Sequence, residues 1–295
     1  MKYKIIVNPS AGRGFGARSV PKIEQLFTAH GLDYDLVCTN WAGEAIELAR
    51  QAVIDGYDTI VAAGGDGTYQ EVVNGMLAAD MHSADGSVVG TLGVLPVGSG
   101  CDFSWILDVP PDLEGACVQL AQHETKVIDV ARVTVDGETR YFDNTVGIGF
   151  EGIVNIEASK IKYLRGMALY LPAVIKSIFL SLKPARSVIE YEQDGETVRV
   201  EGAYLMVDAC NGARAGGAFF VAPDAKCDDG LLDILLVEDI PRLRMLALLP
   251  RFLKGTHVTE SDVQILRSRR ISMRSQDPLA AHADGELVCT NARYI

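Results

Sequence analysis

The run Ile60-Val-Ala-Ala-Gly-Gly-Asp-Gly-Thr-Tyr-Gln-Glu-Val-Val-Asn-Gly75 reads as a strand, a tight turn and a helix in immediate succession. Ile60–Ala63 is a short apolar strand. Gly64, Gly65 and Gly67 form a turn that a residue with a side chain follows only with difficulty. Thr68 then opens an apolar-periodic helix to about Leu77. A Gly-rich turn between strand and helix offers backbone N–H groups with the helix dipole behind them, which is a cradle for phosphate. Asp66 lies inside this cradle, where an acid repels phosphate unless a divalent cation stands between them. Taken alone, a Gly-Gly turn serves equally well as a packing device.

The chain on either side alternates strand and helix. Tyr3–Val7, Asp35–Thr39, Asp58–Ala63 and Leu92–Leu95 read as strands. A helix to about His30, a helix over Gly43–Asp55 and one over Pro111–Gln122 lie between and after them. This order predicts a doubly wound, mostly parallel α/β domain. Near Lys126 the texture changes. Strand pairs follow at 127–135 and 139–145, at 187–192 and 197–208, and at 231–237 and 263–274, with Asp136-Gly137 and Asp194-Gly195 as hairpin turns. Helical stretches are expected at about 153–182 and 240–254. The second half is thus an antiparallel β-rich domain, and the boundary is placed at 1–130 and 131–295, with the active site expected in the cleft between the two.

Composition narrows the classes of function. The chain has 295 residues, 48% of them apolar and 22% charged, enough for a substantial core. Its net charge of −12 argues against nucleic acid as a partner. The six cysteines show no C-x-x-C or zinc spacing and read as reduced cytoplasmic thiols. Met1-Lys-Tyr-Lys-Ile-Ile-Val reads as a strand and not as a signal peptide. No apolar run reaches the ~20 residues of a spanning helix; Met167–Leu182 comes nearest, and Pro172, Lys176 and Ser177 interrupt it.

The central run resembles the G-G-D-G-T-x-x-E-V-x-N-G signature of the diacylglycerol kinase catalytic superfamily, whose shorter G-G-D-G-T core is shared with NAD kinases. The resemblance continues in order along the chain. Asn8-Pro9-Ser10-Ala11-Gly12 is similar to the family's N-P-x-S/A-G turn, and Asn144-x-x-Gly147-x-Gly149-Phe150-Glu151 to its N-x-x-G-x-G-F-D/E turn. Asn211-Gly212, Gly216-Gly217, Pro223 and Asp228-Asp229-Gly230-Leu231-Leu232-Asp233 follow the N-G…G-G…P…D-D-G-L-L-D run. Lys254-Gly255-Thr256-His257 resembles the K-G-x-H turn, and Asp284-Gly285-Glu286 the late D-G-E motif. Two departures stand out. Gly98-Ser99-Gly100-Cys101-Asp102-Phe103 has Ser and Cys where the family has Thr and Asn in G-T-G-N-D-F, and relatives continue through further strands beyond the D-G-E motif.

The resemblance implies a lipid kinase that uses ATP and Mg2+, works at the cytoplasmic face of a membrane as a peripheral protein, and admits a homodimer. Its acceptor is a lipid alcohol: diacylglycerol-like, a ceramide or sphingoid base, or phosphatidylglycerol. It places the nucleotide on Asn8, Pro9, Ser10, Ala11, Gly12, Thr39, Gly64, Gly65, Asp66, Gly67, Thr68, Glu71, Asn74 and Ser99. It places a structural Mg2+ on Asp229 with the carbonyls of Leu232 and Ile234, and an associated acidic network on Asp66, Asp102 and Asp129. Asp284 or Glu286 would be the base; the same Asp-Gly-Glu triplet at 136–138 and 194–196 shows that the motif alone does not make a site. The rival expectation is a nucleotide-binding protein of the same fold that is regulatory, or that phosphorylates a soluble acceptor as NAD kinases do. Apolar Met167–Leu182 and Leu243–Phe252 favour the lipid. The segment 240–254 also carries Arg242, Arg244, Arg251 and Lys254, and is expected to dock on an anionic membrane.

Overall fold

The structure, a computed structural model, describes residues 1–80, 90–161, 163–164, 166–181 and 183–295. The chain divides into two compact units, Met1–Val127 and Ile128–Ile295.

In the first unit the elements run β1 (Lys2–Val7), α1 (Ala11–Ala29), β2 (Asp33–Cys38), α2 (Glu44–Ile54), β3 (Thr59–Gly64), α3 (Asp66–Asp80), β4 (Thr91–Pro96), α4 (Asp102–Ile106) and α5 (Leu113–Ala121). The strands form a parallel sheet in the order β2-β1-β3-β4. The chain steps one way from β1 to β2 and then crosses back to β3 on the other side of β1. The strand order therefore reverses between β1 and β3, and at such a switch point the loops after the strands open a crevice at their carboxyl ends. Tyr3, Ile5, Val7, Val61, Ala63 and Leu95 pack one face of this sheet against Ile23, Leu26 and Phe27 of α1. The central helix starts at Asp66, two residues before the expected Thr68, so Asp66 is a first-turn residue where the helix dipole favours an acid. Early α1 is irregular, with Gly12, Arg13 and Gly14 at φ 53°, 55° and 78°.

The second unit runs β5 (Ala131–Val135), β6 (Glu138–Phe142), β7 (Thr145–Gly149), α6 (Phe150–Ser159), α7 (Gly166–Leu180), β8 (Ala185–Gln193), β9 (Glu196–Cys210), β10 (Arg214–Ala215), β11 (Phe219–Phe220), β12 (Leu232–Glu238), α8 (Arg242–Phe252), β13 (Val263–Ser268), β14 (Ile271–Ala283) and β15 (Glu286–Tyr294). Among the described residues, β13-β12-β9-β7-β14-β15 form a sheet that β8 joins by pairing with β14 and β9. One face holds Val146, Ile148, Val207, Ile234, Ala281 and Ala283; the other carries α6, α7 and α8 over Leu205, Leu235 and Val237.

Three sequence expectations change here. The stretch 263–274 is two strands, β13 and β14, separated at Arg269-Arg270. The stretch 153–182 is two helices, and Lys162, Arg165 and Leu182 within it lie outside the described residues. From Glu286 of the D-G-E motif onward the chain forms β15, which pairs with β14 and completes a hairpin.

Candidate active site

The parallel strands set the nucleotide-binding candidates of the first unit at one edge. Asn8 follows β1, Thr39 follows β2, Gly65 follows β3 and Val97 follows β4, each immediately after the strand's last residue. Asn8 and Thr68 hold the two central turns together, the Asn8 Nδ2 donating to the Thr68 Oγ1 at 3.1 Å. The Asn8 Oδ1 accepts the Ser10 N–H at 3.0 Å, an Asx turn that fixes the Pro9–Gly12 path. The Thr39 N–H donates to the Val7 carbonyl at 2.9 Å. Glycines at the turns are required by close backbone approach. A Cβ on Gly98 would stand 2.4 Å from the Gly65 Cα, and one on Gly12 would stand 2.5 Å from the Val97 carbonyl oxygen. The loops after β1, β3 and β4 thus touch backbone to backbone, with Ser99 exposed between Gly98 and Gly100.

Asp66 reaches the next element: its Oδ1 accepts the Phe103 N–H at 3.0 Å, tying the first turn of α3 to that of α4, where Asp102 is buried. Cys101, in the place of the family's Asn, lies 3.8 Å from the Tyr69 hydroxyl, and burial, followed by the nearby Asp66 charge, pushes its thiol up to about 11. It is therefore a neutral packing group. Glu71 and Asn74 lie further along α3. The Glu71 Oε1 accepts the Gly43 N–H at 3.1 Å, at the start of α2, and Asn74 Nδ2 donates to the Gln70 carbonyl at 2.8 Å. The Glu71 bond ties α3 to the start of α2, whereas the Asn74 bond stays within α3; α2 comes so close to α3 that a Cβ on Gly75 would stand 2.2 Å from the Ile46 carbonyl oxygen.

In the second unit Asp284-Gly285 is the β14–β15 hairpin turn, with φ 48° and 83°, the same left-handed pair as at Asp136-Gly137 and Asp194-Gly195. What separates it from those turns is burial and grip. The Asp284 carboxylate, 6% exposed, accepts three backbone N–H groups: Asp143 at 3.0 Å, Asn144 at 3.1 Å and Thr145 at 2.8 Å. Burial raises its carboxyl above the usual carboxylate range, against the pull of those donors. Gly285 is held on both sides, its N–H by the His282 Nδ1 at 3.2 Å and its carbonyl by the Asn155 amide. Glu286 is exposed beside this fixed tip. Asn144 and Asn211 brace the same region: Asn211 Nδ2 donates to the Asp129 and Asp143 carbonyls, both at 2.8 Å, and Asn144 Nδ2 to the Arg214 carbonyl at 2.8 Å.

The 228–234 turn was expected to hold a structural cation on Asp229 with the carbonyls of Leu232 and Ile234; in this structure the Asp229 carboxylate is engaged by protein donors. The Asp229 Oδ1 accepts the Leu231 N–H at 3.1 Å, and its Oδ2 is bound by the Arg267 guanidinium. Arg267 stands opposite Asp233 in the β12–β13 pair and reaches its carboxylate at 3.6 Å. Ile234 is paired on both sides, with Leu266 and Ala209, so the ladders use its backbone groups. The positive charge at this turn comes from the protein. Asp129 closes the same loop, its Oδ2 accepting the Gly230 N–H at 2.7 Å. Among the described residues, no group of three or more His, Cys, Asp or Glu side chains is placed to hold a metal ion.

Sequence reasoning missed His282, Asn155 and the 143–145 backbone as partners of the D-G-E turn. The apolar flank Ala280-Ala-His-Ala283 was the available signal: a single His in a buried strand beside a turn acid.

Residues 2–133 match the diacylglycerol kinase catalytic domain family, and residues 144–293 match the YegS C-terminal NAD kinase beta sandwich-like domain. The chain is 30% identical to a diacylglycerol kinase of Staphylococcus aureus (strain JH9), over 97% of this chain and 86% of that one. It is 29% identical to a diacylglycerol kinase of Bacillus subtilis (strain 168), over 97% of this chain and 89% of that one. A crystal structure of a diacylglycerol kinase from Bacillus anthracis str. Sterne superposes with a TM-score of 0.72 at 25% identity, covering 99% of this chain and 92% of that one. The strand order, the gripped D-G-E hairpin and these matches agree, and the chain belongs to the diacylglycerol kinase superfamily of lipid kinases.

Proposed function

We propose that the protein transfers the γ-phosphoryl group of ATP to the hydroxyl of a lipid alcohol, diacylglycerol or a close relative. The observation that carries this is the bonded pair of turns at the β1/β3 switch point, Asn8–Gly12 and Gly64–Thr68, joined by the Asn8–Thr68 bond. Gly65, Gly67 and Thr68 would line the phosphates, with Thr39 and Ser99 on the adjoining loops. Magnesium enters with the nucleotide as part of the substrate. Residues 1–130 are taken as the nucleotide domain and 131–295 as the lipid-substrate domain.

Of the two candidate bases, Glu286 suits the role. A base needs a lone pair open to the acceptor hydroxyl. Asp284 is buried and accepts three N–H groups, whereas Glu286 is exposed at the tip they hold. Glu286 would take the hydroxyl proton as the acceptor oxygen bonds to the γ-phosphorus and the bond to the β-phosphate oxygen breaks, releasing ADP.

A lipid acceptor is favoured by the surface of α7 and α8. The Tyr170 hydroxyl of α7 lies 3.8 Å from the Cβ position of Gly285. Further along, Phe179, Leu180 and Leu243 are 51%, 70% and 75% exposed. The Arg242 Nε bond to the Ile178 carbonyl, at 3.1 Å, sets the start of α8 beside the end of α7. This apolar patch is the part of the protein we assign to peripheral contact with the membrane; no described helix is long and apolar enough to cross one. The test is incubation with labelled ATP, magnesium and a panel of diacylglycerol, ceramide, sphingoid base, phosphatidylglycerol and NAD. Phosphorylated lipid supports the proposal; label on NAD alone, or on none, overturns it.

A further inference from the structure

Three strands of the second unit bring acid–base side chains together over one glycine. Gly147 of β7 stands opposite His282 of β14 on one side and Asp208 of β9 on the other. Directly opposed residues share a face of the sheet. Glu151, from the first turn of α6, enters the same place, its Oε2 3.1 Å from the His282 Nε2. A Cβ on Gly147 would stand 2.4 Å from that Glu151 oxygen and 2.5 Å from that His282 nitrogen, so the missing side chain makes room for the pair.

The hydrogen bonds fix the tautomer. His282 Nδ1 receives the Gly285 N–H and so carries no proton, which leaves the ring proton on Nε2, aimed at Glu151. Asp208 is fully buried, with the backbone of Ile148 as a hydrogen-bond partner of its carboxyl. Burial, and then the Glu151 charge, hold it well above the usual carboxylate range, in its neutral form. The Glu151 Oε2 is thus the oxygen that accepts the His282 Nε2–H. An apolar row would fill this space without the desolvation cost of a buried acid. The polar row reaches the N–H of Gly285, whose carbonyl is held from the other side by Asn155.

We infer that His282, backed by Glu151, and Asn155 are positioning residues that clamp the Gly285 peptide and so aim Glu286 at the acceptor hydroxyl. This rests on Glu286 being the base of the reaction proposed above. Neither residue touches substrate in this account; each acts through the peptide that precedes the base. The clamp should therefore govern turnover and leave nucleotide affinity alone, because the phosphate seat lies in the other unit.

The test compares His282→Leu, His282→Asn, Asn155→Ala and Glu286→Gln in the full chain, with ATP and the lipid that the panel identifies. His282→Leu removes the acceptor for Gly285; His282→Asn keeps an oxygen close to the Nδ1 position. His282→Leu and Asn155→Ala are expected to lower kcat roughly 10–10²-fold, the range for a misaimed group, with the KM for ATP unchanged. His282→Asn should recover most of that loss. Wild-type kcat in His282→Leu beside an inactive Glu286→Gln overturns the clamp alone. Full activity in Glu286→Gln overturns the base assignment. If His282→Leu fails to fold, Asn155→Ala, which acts from α6 on the carbonyl side, decides: a kcat loss without a KM change supports the clamp, and an unchanged kcat overturns it.

Discussion

The side-chain amide of Asn8 and the hydroxyl of Thr68 lie 3.1 Å apart and join the loops that follow β1 and β3. Sixty residues of chain separate them, and the parallel pairing of Val7 with Ala63 brings them together. Because both belong to the proposed phosphate seat, Asn8→Ala and Thr68→Val should each weaken ATP use. Leaving a part-buried partner unsatisfied costs about 1–3 kcal/mol, so the KM for ATP should rise about tenfold in each. The double variant should be little worse than either single one, since both remove the same bond. Fully additive losses in a double-mutant cycle would show that the bond carries no function.

Asp284 and Glu286 sit in one motif and should fail in different ways. Glu286→Gln should lose about 10²–10⁴-fold in kcat, the usual range for general base catalysis, and keep its melting temperature. Asp284→Asn turns an amide N–H toward backbone donors that need an acceptor. It should cost about 1–3 kcal/mol of stability, read as a lowered Tm, together with reduced activity. Asp284→Asn with wild-type Tm and no turnover would reverse the two assignments.

The parts of this protein that were legible in the sequence are the local ones. The Gly64–Thr68 turn announces itself because glycine, strand and helix signals sit side by side, and Asp136-Gly137 announces its hairpin for the same reason. Asp284-Gly285 looked the same and was different, because its burial depends on residues 143–145, some 140 positions away. Arg267 and Asp229 are 38 residues apart and meet only through the β12–β13 register. Arg244 and Arg251 looked like free cations on a helix. In the structure Arg244 pairs with Glu260 and Asp262, both at 2.6 Å, and Arg251 with Glu260. Charge pattern in a helix does not reveal which of its cations a later loop will neutralise.

Asp208 sets a pH dependence whose sign can be stated. In the unfolded chain it ionises near the ordinary Asp value of about 3.9, whereas in the folded protein burial raises its pKa well above that. Between the two values the folded state binds more protons, so stability falls as pH rises through that window. Asp208→Asn mimics the neutral acid and removes this contribution. Thermal melts from pH 5 to 9 should show the variant gaining Tm over the wild type as pH rises. A constant difference across the range would mean that Asp208 does not titrate in this way.

Arg267 predicts that the 228–234 turn needs no metal. Without nucleotide, the wild-type Tm should be the same in excess EDTA as in millimolar Mg2+. Arg267→Met should leave Asp229 and Asp233 facing each other uncompensated, lowering the Tm in EDTA, with partial recovery on adding Mg2+ or Ca2+. A wild-type Tm that drops in EDTA and is insensitive to EDTA in Asp229→Asn would show that a cation is bound there after all.

The proposed membrane contact keeps Arg242, Leu243 and Lys254 of the expected segment and loses Arg244 and Arg251. Arg244→Gln and Arg251→Gln should mainly lower the Tm, because they release Glu260 and Asp262 from their partners. The inward stripe of α8, Met245, Leu248, Leu249 and Phe252, is buried and unavailable to a bilayer. Phe179, Leu180 and Leu243 are exposed, and Lys183, Arg242 and Lys254 are exposed near them in sequence. Withdrawing bulky side chains from water is worth about 25 cal/mol per Å2, and each nearby cation adds about 1 kcal/mol at an anionic surface. Together these can offset the repulsion of a chain with a net charge of −12. The triple variant Phe179→Ser, Leu180→Ser, Leu243→Ser should bind phosphatidylglycerol vesicles at least tenfold more weakly in a sedimentation assay. It should lose activity on bilayer lipid while keeping activity on a short-chain acceptor dispersed in micelles. Unchanged vesicle binding, or equal loss on both substrates, would remove α7 and α8 from the membrane contact.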